Sequence, residues 1–254
     1  MLRSLLVLVT LELFLMSAIV ATGKDKDKDK DKDKDPGVQM VDSGSFGVFM
    51  NGRRVATETF SIKQGSKGSV VTSEFKADGA SETSTQNSEL QLNAAGELQK
   101  YEWKEISPGK AQAVVIPNDS FLLERVTVNP TEKAHEHPFM LPTSTSILDD
   151  YFFVQREVLA WKYLAIGCRQ NKGQVECPAN QRTQFGTLNP HEVSSTPVSM
   201  EFSGKDKVAI RGTERELDRF TLKTENGDWS MWLDDKFKVV RIVIADANTE
   251  VVRD

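Results

Sequence analysis

Apolar and polar residues alternate along most of this chain. Ser45–Met50 and Val55–Ile62 are short runs of this kind separated by Asn51-Gly52, the sequence signature of a tight β-hairpin. Gly68–Phe75 adds a third run. After a polar Gly/Ser/Thr-rich loop over Ala77–Asn87, further runs follow at Ser88–Asn93, Leu98–Glu105, Ala111–Ile116 and Phe121–Asn129. In each, successive side chains point to opposite faces, so one face is apolar and the other polar. Pro130–Thr145 holds three prolines and reads as irregular. Strand signals resume at Arg182–Leu188, Pro197–Phe202, Lys207–Gly212, Leu217–Lys223, Trp229–Leu233, Lys236–Ala245 and Glu250–Arg253. Short turns between regularly spaced strands indicate antiparallel meanders.

One stretch has a different period. In Ser146–Cys168, Leu148, Phe152, Leu159 and Ile166 recur at helical spacing, with Tyr151, Val154, Val158, Trp161 and Ala165 on the adjoining stripe. The spacing predicts a helix over about 147–167 with Asp149 and Asp150 as its cap and Gly167 as its stop. The fold expected is mainly β: a curled antiparallel half-barrel or barrel of about 12 strands, with one long central helix packed on it. A sheet of that length must curl or close. Residues 38–254 are expected to form a single domain.

Composition changes the picture mainly at the N-terminus. Residues 1–23 carry Arg3 and an apolar run from Leu5 to Val20, then Ala21-Thr22-Gly23, the pattern of an export signal peptide. Glu12 inside the run argues for cleavage over a retained membrane anchor, the alternative reading. Lys24–Asp35 is six Lys-Asp repeats. With no apolar residue, 24–37 reads as a disordered, solvated linker. The protein is then exported, periplasmic or extracellular, and meets a membrane only through an uncleaved signal. The two cysteines, Cys168 and Cys177, read as a disulfide in an oxidising compartment, contributing about 2–3 kcal/mol. A net charge of −5 leaves no basic face for general nucleic-acid binding.

Candidate chemistry is sparse. His135 and His137 share one side of an extended segment, and His191 or Glu192 could add a third ligand; these are the only metal candidates, set against the plain reading of an exposed loop. Asp149-Asp150 could serve acid–base work, but capping accounts for the pair. No nucleophile elbow, phosphate loop or dinucleotide fingerprint occurs. Asn118-Asp119-Ser120 has the form of a glycosylation acceptor. Trp229 and Trp232 have opposite parity and face opposite sides of the sheet.

The layout resembles a group of bacterial exported proteins built as curled antiparallel half-barrels. The resemblance is carried by Gly44–Phe60 (GSFGVFMNGRRVATETF), Ser146–Phe153 (SILDDYFF) and Trp229–Ile242 (WSMWLDDKFKVVRI). It is distantly like periplasmic lipoprotein carriers, which hold acyl chains in a concave apolar sheet, and it implies no catalytic residues or cofactor. Three function classes follow. The first is a non-enzymatic binding protein with a hydrophobic or lipid-like ligand between sheet and helix, lined by Phe152, Leu159 and Trp161. The second is an interaction module with a dry core and an envelope protein partner. The third is a metal-dependent hydrolase using the His135/His137 loop.

Overall fold

The computed structural model of the protein describes residues 37–78, 83–171, 174–178 and 181–254. The signal-like segment and the Lys-Asp repeat lie outside the described residues. Strands β1 (Gln39–Met50), β2 (Arg53–Gly65), β3 (Gly68–Asp78), β4 (Thr83–Asn93), β5 (Leu98–Ser107), β6 (Gln112–Asn118) and β7 (Phe121–Thr127) form a continuous antiparallel meander. The first turn is the expected hairpin. Asn51 and Gly52 both take positive φ, 51° and 76°, which an Asn-Gly pair adopts at little cost. β8 (His135–Phe139) extends the edge beyond β7, within the segment expected to be irregular.

The chain then crosses to the far edge of the same sheet. β9 (Ser146–Ile147) pairs in parallel with β12 (Arg182–Asn189), and between them lie helix α1 (Val154–Gly167) and a small hairpin, β10 (Arg169–Asn171) with β11 (Gln174–Glu176). The Cys168–Cys177 disulfide closes that hairpin at a Cα–Cα distance of 4.3 Å. β13 (Ser194–Ile210), β14 (Thr213–Thr224), β15 (Gly227–Leu233), β16 (Val239–Ile244) and β17 (Thr249–Arg253) return towards the middle, where β17 pairs with β1. The result is a curled sheet of 15 strands running from β8 to β9 without closing, not 12. The alternating runs in the sequence number fourteen, and three differences lead from them to the 15 observed. β8 and β9 were not expected, and Pro197–Phe202 and Lys207–Gly212 are one long strand interrupted by a bulge between Phe202 and Gly204.

The helix is shorter than its apolar pattern suggests. It begins at Val154, and neither Asp149 nor Asp150 caps it; the cap position is Phe153, with no side-chain cap of its own. Ser146–Ile147 is held in the sheet, and Leu148–Phe153 packs as an extended, turned segment. Leu148, Phe152, Phe153, Val154, Leu159, Ala160 and Tyr163 are buried in a single core with the inner faces of both strand groups. Fully burying one such apolar side chain is worth about 1.5–3 kcal/mol, which fixes the helix face. Trp229 and Trp232 separate as their parity requires. Trp229 packs on the main core, while Trp232 covers a second cluster of Val208, Ile210, Leu217 and Val240 on the opposite face.

Candidate functional site

The helix start is organised by a glutamate from the sheet. Ala56, Glu58, Phe60 and Ile62 share the inward face of β2, so Glu58 is carried into the core. Its carboxyl accepts the Phe153 backbone N–H at 2.7 Å, the Val154 N–H at 3.3 Å and the Ser73 hydroxyl at 2.7 Å. A side chain 95 residues away thus satisfies the free amides of the helix N-terminus. Burial pushes Glu58 up to about 7 against the pull of these donors. From the helix, Glu157 accepts the Val239 N–H at 2.7 Å and the Arg253 guanidinium at 2.8 Å. Arg253 also pairs with buried Asp42 at 2.5 Å, and its guanidinium lies over the stacked rings of Phe46 and Phe60. Burial raises Glu157, with Asp42 adding to the rise and Arg253 opposing it. Farther along, the Trp161 indole N–H donates to the Phe237 carbonyl at 2.6 Å.

Ahead of the helix lies a second polar network. Asp149 is fully buried and accepts the Tyr101 hydroxyl at 2.6 Å and the Tyr151 N–H at 3.0 Å. His191, from the β12–β13 connection, places Nδ1 2.6 Å from Asp149 Oδ2 and Nε2 2.8 Å from Gln86 Oε1. Its ring stacks on Trp103 at 3.9 Å and leans on Tyr151 at 4.5 Å. Gln155 accepts the Asp149 N–H at 2.6 Å, and buried Arg156 donates to the Asp149 and Phe152 carbonyls. An Asp–His pair can drive proton transfer when its outer nitrogen meets a substrate or a nucleophile. Here that nitrogen meets an amide oxygen with no proton to give, and aromatic rings cover it, so the pair acts as a structural lock. Behind it sits Glu124, 0% exposed, with neither oxygen hydrogen-bonded among the described residues. Burial and the field of Asp149 push it up to about 7.

The sequence candidates fall in different places. His137 and His135 lie on edge strand β8, in register with Glu124 and Val126, while His191 belongs to the network on β4 and β5. Among the described residues no three His, Cys, Asp or Glu side chains are grouped to hold a metal. Phe152 and Leu159 are sealed in the packed core, and Trp161 borders a shallow groove with Val41, Leu164 and Phe237. The residues that sequence reasoning missed are Glu58 and Glu124. Each stands at an inward position of an alternating strand, where a charge interrupts the apolar register, and that interruption was the available signal.

A cavity of ≈ 780 Å³ opens as a mouth at the N-terminal end of the helix. Val48, Ala56 and Phe75 from β1–β3 form one wall, and Trp229 and Ile244 from β15 and β16 form the other. Tyr151 and Phe153, from the segment ahead of the helix, meet them. Tyr151 stands edge-on to Phe75 at 5.6 Å while its other contact is His191, so the locked network positions this wall of the mouth. Asp150, Glu192 and Asp246 sit at the lip.

Fold and site together define a class: an open, curled antiparallel sheet wrapped on one buried helix, with an apolar mouth beside the helix start. No protein-family model, curated protein or solved structure matches the chain. Among the described residues no helix is long and apolar enough to cross a membrane.

Proposed function

We propose that this protein is an exported, non-enzymatic binding protein that takes up the apolar part of a small hydrophobic or lipid-like molecule at the open mouth of its sheet. The observation that carries the reading is the ≈ 780 Å³ cavity with predominantly apolar, aromatic-rich walls, in the range that holds small-molecule ligands. The likeness to lipoprotein carriers belongs to the same proposal. It differs from the arrangement expected from sequence in one respect: the helix face that was to line the ligand is packed core, so the ligand enters beside the helix start, not beneath the helix. The Cys168–Cys177 disulfide supports an oxidising compartment.

The test is titration of the purified full chain with the neutral fluorophore diphenylhexatriene. Saturable binding is expected, weakened about tenfold or more by Ala77→Trp, which fills the mouth from β3. A chain that gives no saturable signal, or an Ala77→Trp variant that is folded and binds as well as the parent, sinks the reading.

A second reading, a protein-interaction module, is favoured by β8, which among the described residues ends the sheet without a further partner strand, next to Met140, which is 81% exposed. An edge of this kind accepts a partner strand. Its test is whether Pro substitution at Arg125-facing Glu136 abolishes capture of an envelope protein while leaving probe binding intact.

A further inference from the structure

The lip of the mouth carries a charge pattern that narrows the ligand class. Asp150 comes from the segment ahead of the helix, Glu192 from the β12–β13 connection and Asp246 from the turn before β17. None of the described residues lining the cavity is Lys, Arg or His. Some outer-face carboxylates have cationic partners: Glu201 sits with Arg182 and Lys223, Asp218 with Lys205, and Asp254 with Arg54 and Arg211. Among the described residues neither Glu192 nor Asp246 makes a side-chain hydrogen bond or ion pair. Asp150 accepts the Asn189 amide at 2.8 Å and lies 3.5 Å from Arg156. That guanidinium has a side chain only 3% exposed, turned to the Asp149 and Phe152 carbonyls and lying 4.9 Å over the Trp229 ring. It offsets one lip carboxylate from inside the wall and presents no cation to an incoming molecule.

From this we infer that the ligand is an organic cation with an apolar body: a protonated amine or quaternary ammonium attached to a hydrocarbon or aromatic portion. This rests on the binding reading above and adds the sign of the head group. The apolar body fills the space between Phe75, Phe153 and Trp229, and the cationic head stays at the lip beside Glu192 and Asp246. Aromatic faces add attraction for such a head, and the carboxylates raise its local concentration while repelling fatty acids and other anionic amphiphiles.

The experiment uses three probes with the same body: diphenylhexatriene bearing trimethylammonium, bearing nothing, and bearing propionate. Each is titrated into the full chain at low salt. The cationic probe is expected to bind about tenfold or more tightly than the propionate, with the neutral probe between, and the spread should shrink as salt is raised. Glu192→Gln with Asp246→Asn should narrow the spread to about threefold or less without altering the neutral probe, and Asp246→Lys should shift preference towards the propionate. Equal affinity of all three probes, or a tighter propionate, overturns the charge assignment and leaves the binding reading standing. Failure of all three to bind overturns both.

Discussion

Glu124 is the residue whose surroundings make the clearest demand on solution conditions. It is buried, it has no hydrogen-bond partner among the described residues, and the Asp149 carboxylate adds to the cost of ionising it. His137 faces it across the β7–β8 register. With its carboxyl pushed up from 4.5 to about 7, the folded state holds this proton more tightly than the unfolded chain does. The stabilisation is therefore complete below the unfolded value and is lost as pH rises through about 7. Glu58 has the same sign and range. Asp42 runs the other way. Burial alone would raise it, but its bonds to Arg253 and Lys238 hold it well below the usual carboxylate range, so its contribution is lost in acid. Thermal unfolding followed from pH 3 to 9 should show maximum stability near pH 4, between the acid loss at Asp42 and the rise through the unfolded glutamate value, with a decline from there to about pH 7. Glu124→Gln should raise stability at pH 8 on the order of 1–3 kcal/mol and flatten that decline. A variant whose profile overlays the parent's would show that Glu124 remains ionised in the fold.

At the scale of elements, the helix is held from outside itself. Its first amides are satisfied by Glu58 on β2, and its own Glu157 reaches β16 and Arg253. Glu58→Ala removes the acceptor for two helix amides and for Ser73, and should cost about 2–4 kcal/mol in denaturant unfolding. Glu58→Gln keeps an oxygen in place and should cost about 1 kcal/mol. Equal losses for the two would mean that packing volume, not capping, is what Glu58 supplies. The helical stripe was legible in Val154, Val158, Leu159 and Trp161, and the existence of the helix followed from it, while Leu148 and Phe152, read as part of the same stripe, lie ahead of the helix. Its start was not legible, because two long-range contacts override the local pattern: Ser146–Ile147 joins β12, and Asp149 is claimed by Tyr101 and His191. Propensity carries no information about such partners. The Asn51-Gly52 hairpin, by contrast, is a local preference with a local outcome. β8 was hidden because HEHPF has no β-branched residue and carries a proline, which an edge strand tolerates.

For the molecule as a whole, the class of fold and the single helix were readable because alternation and helical spacing are statements about burial, and burial governs this core. The mouth was not readable. Its walls bring Val48, Phe75, Tyr151, Trp229 and Asp246 together from across the chain, and no local pattern records which inward residues leave a gap between them. The number of strands and the failure of the sheet to close depend on the pairing of β9 and on the edge at β8, again distant relationships.

The pairing of β1 with β17 has a consequence for how the protein is made. These strands lie side by side in the middle of the sheet, joining the β1–β8 group to the β9–β17 group, yet β17 is the last of the described strands to leave the ribosome. Until it emerges, a nascent chain holds two half-sheets with an open seam between them, and Asp42 and Glu157 wait for Arg253. Stopping translation before Thr249 should therefore yield a product that is cleaved at low protease doses, whereas the same chain supplied with a synthetic peptide of 249–254 should regain resistance. The sheet is then completed only once β17 has been made, and until that moment its seam stays open to any chaperone that binds unpaired strands.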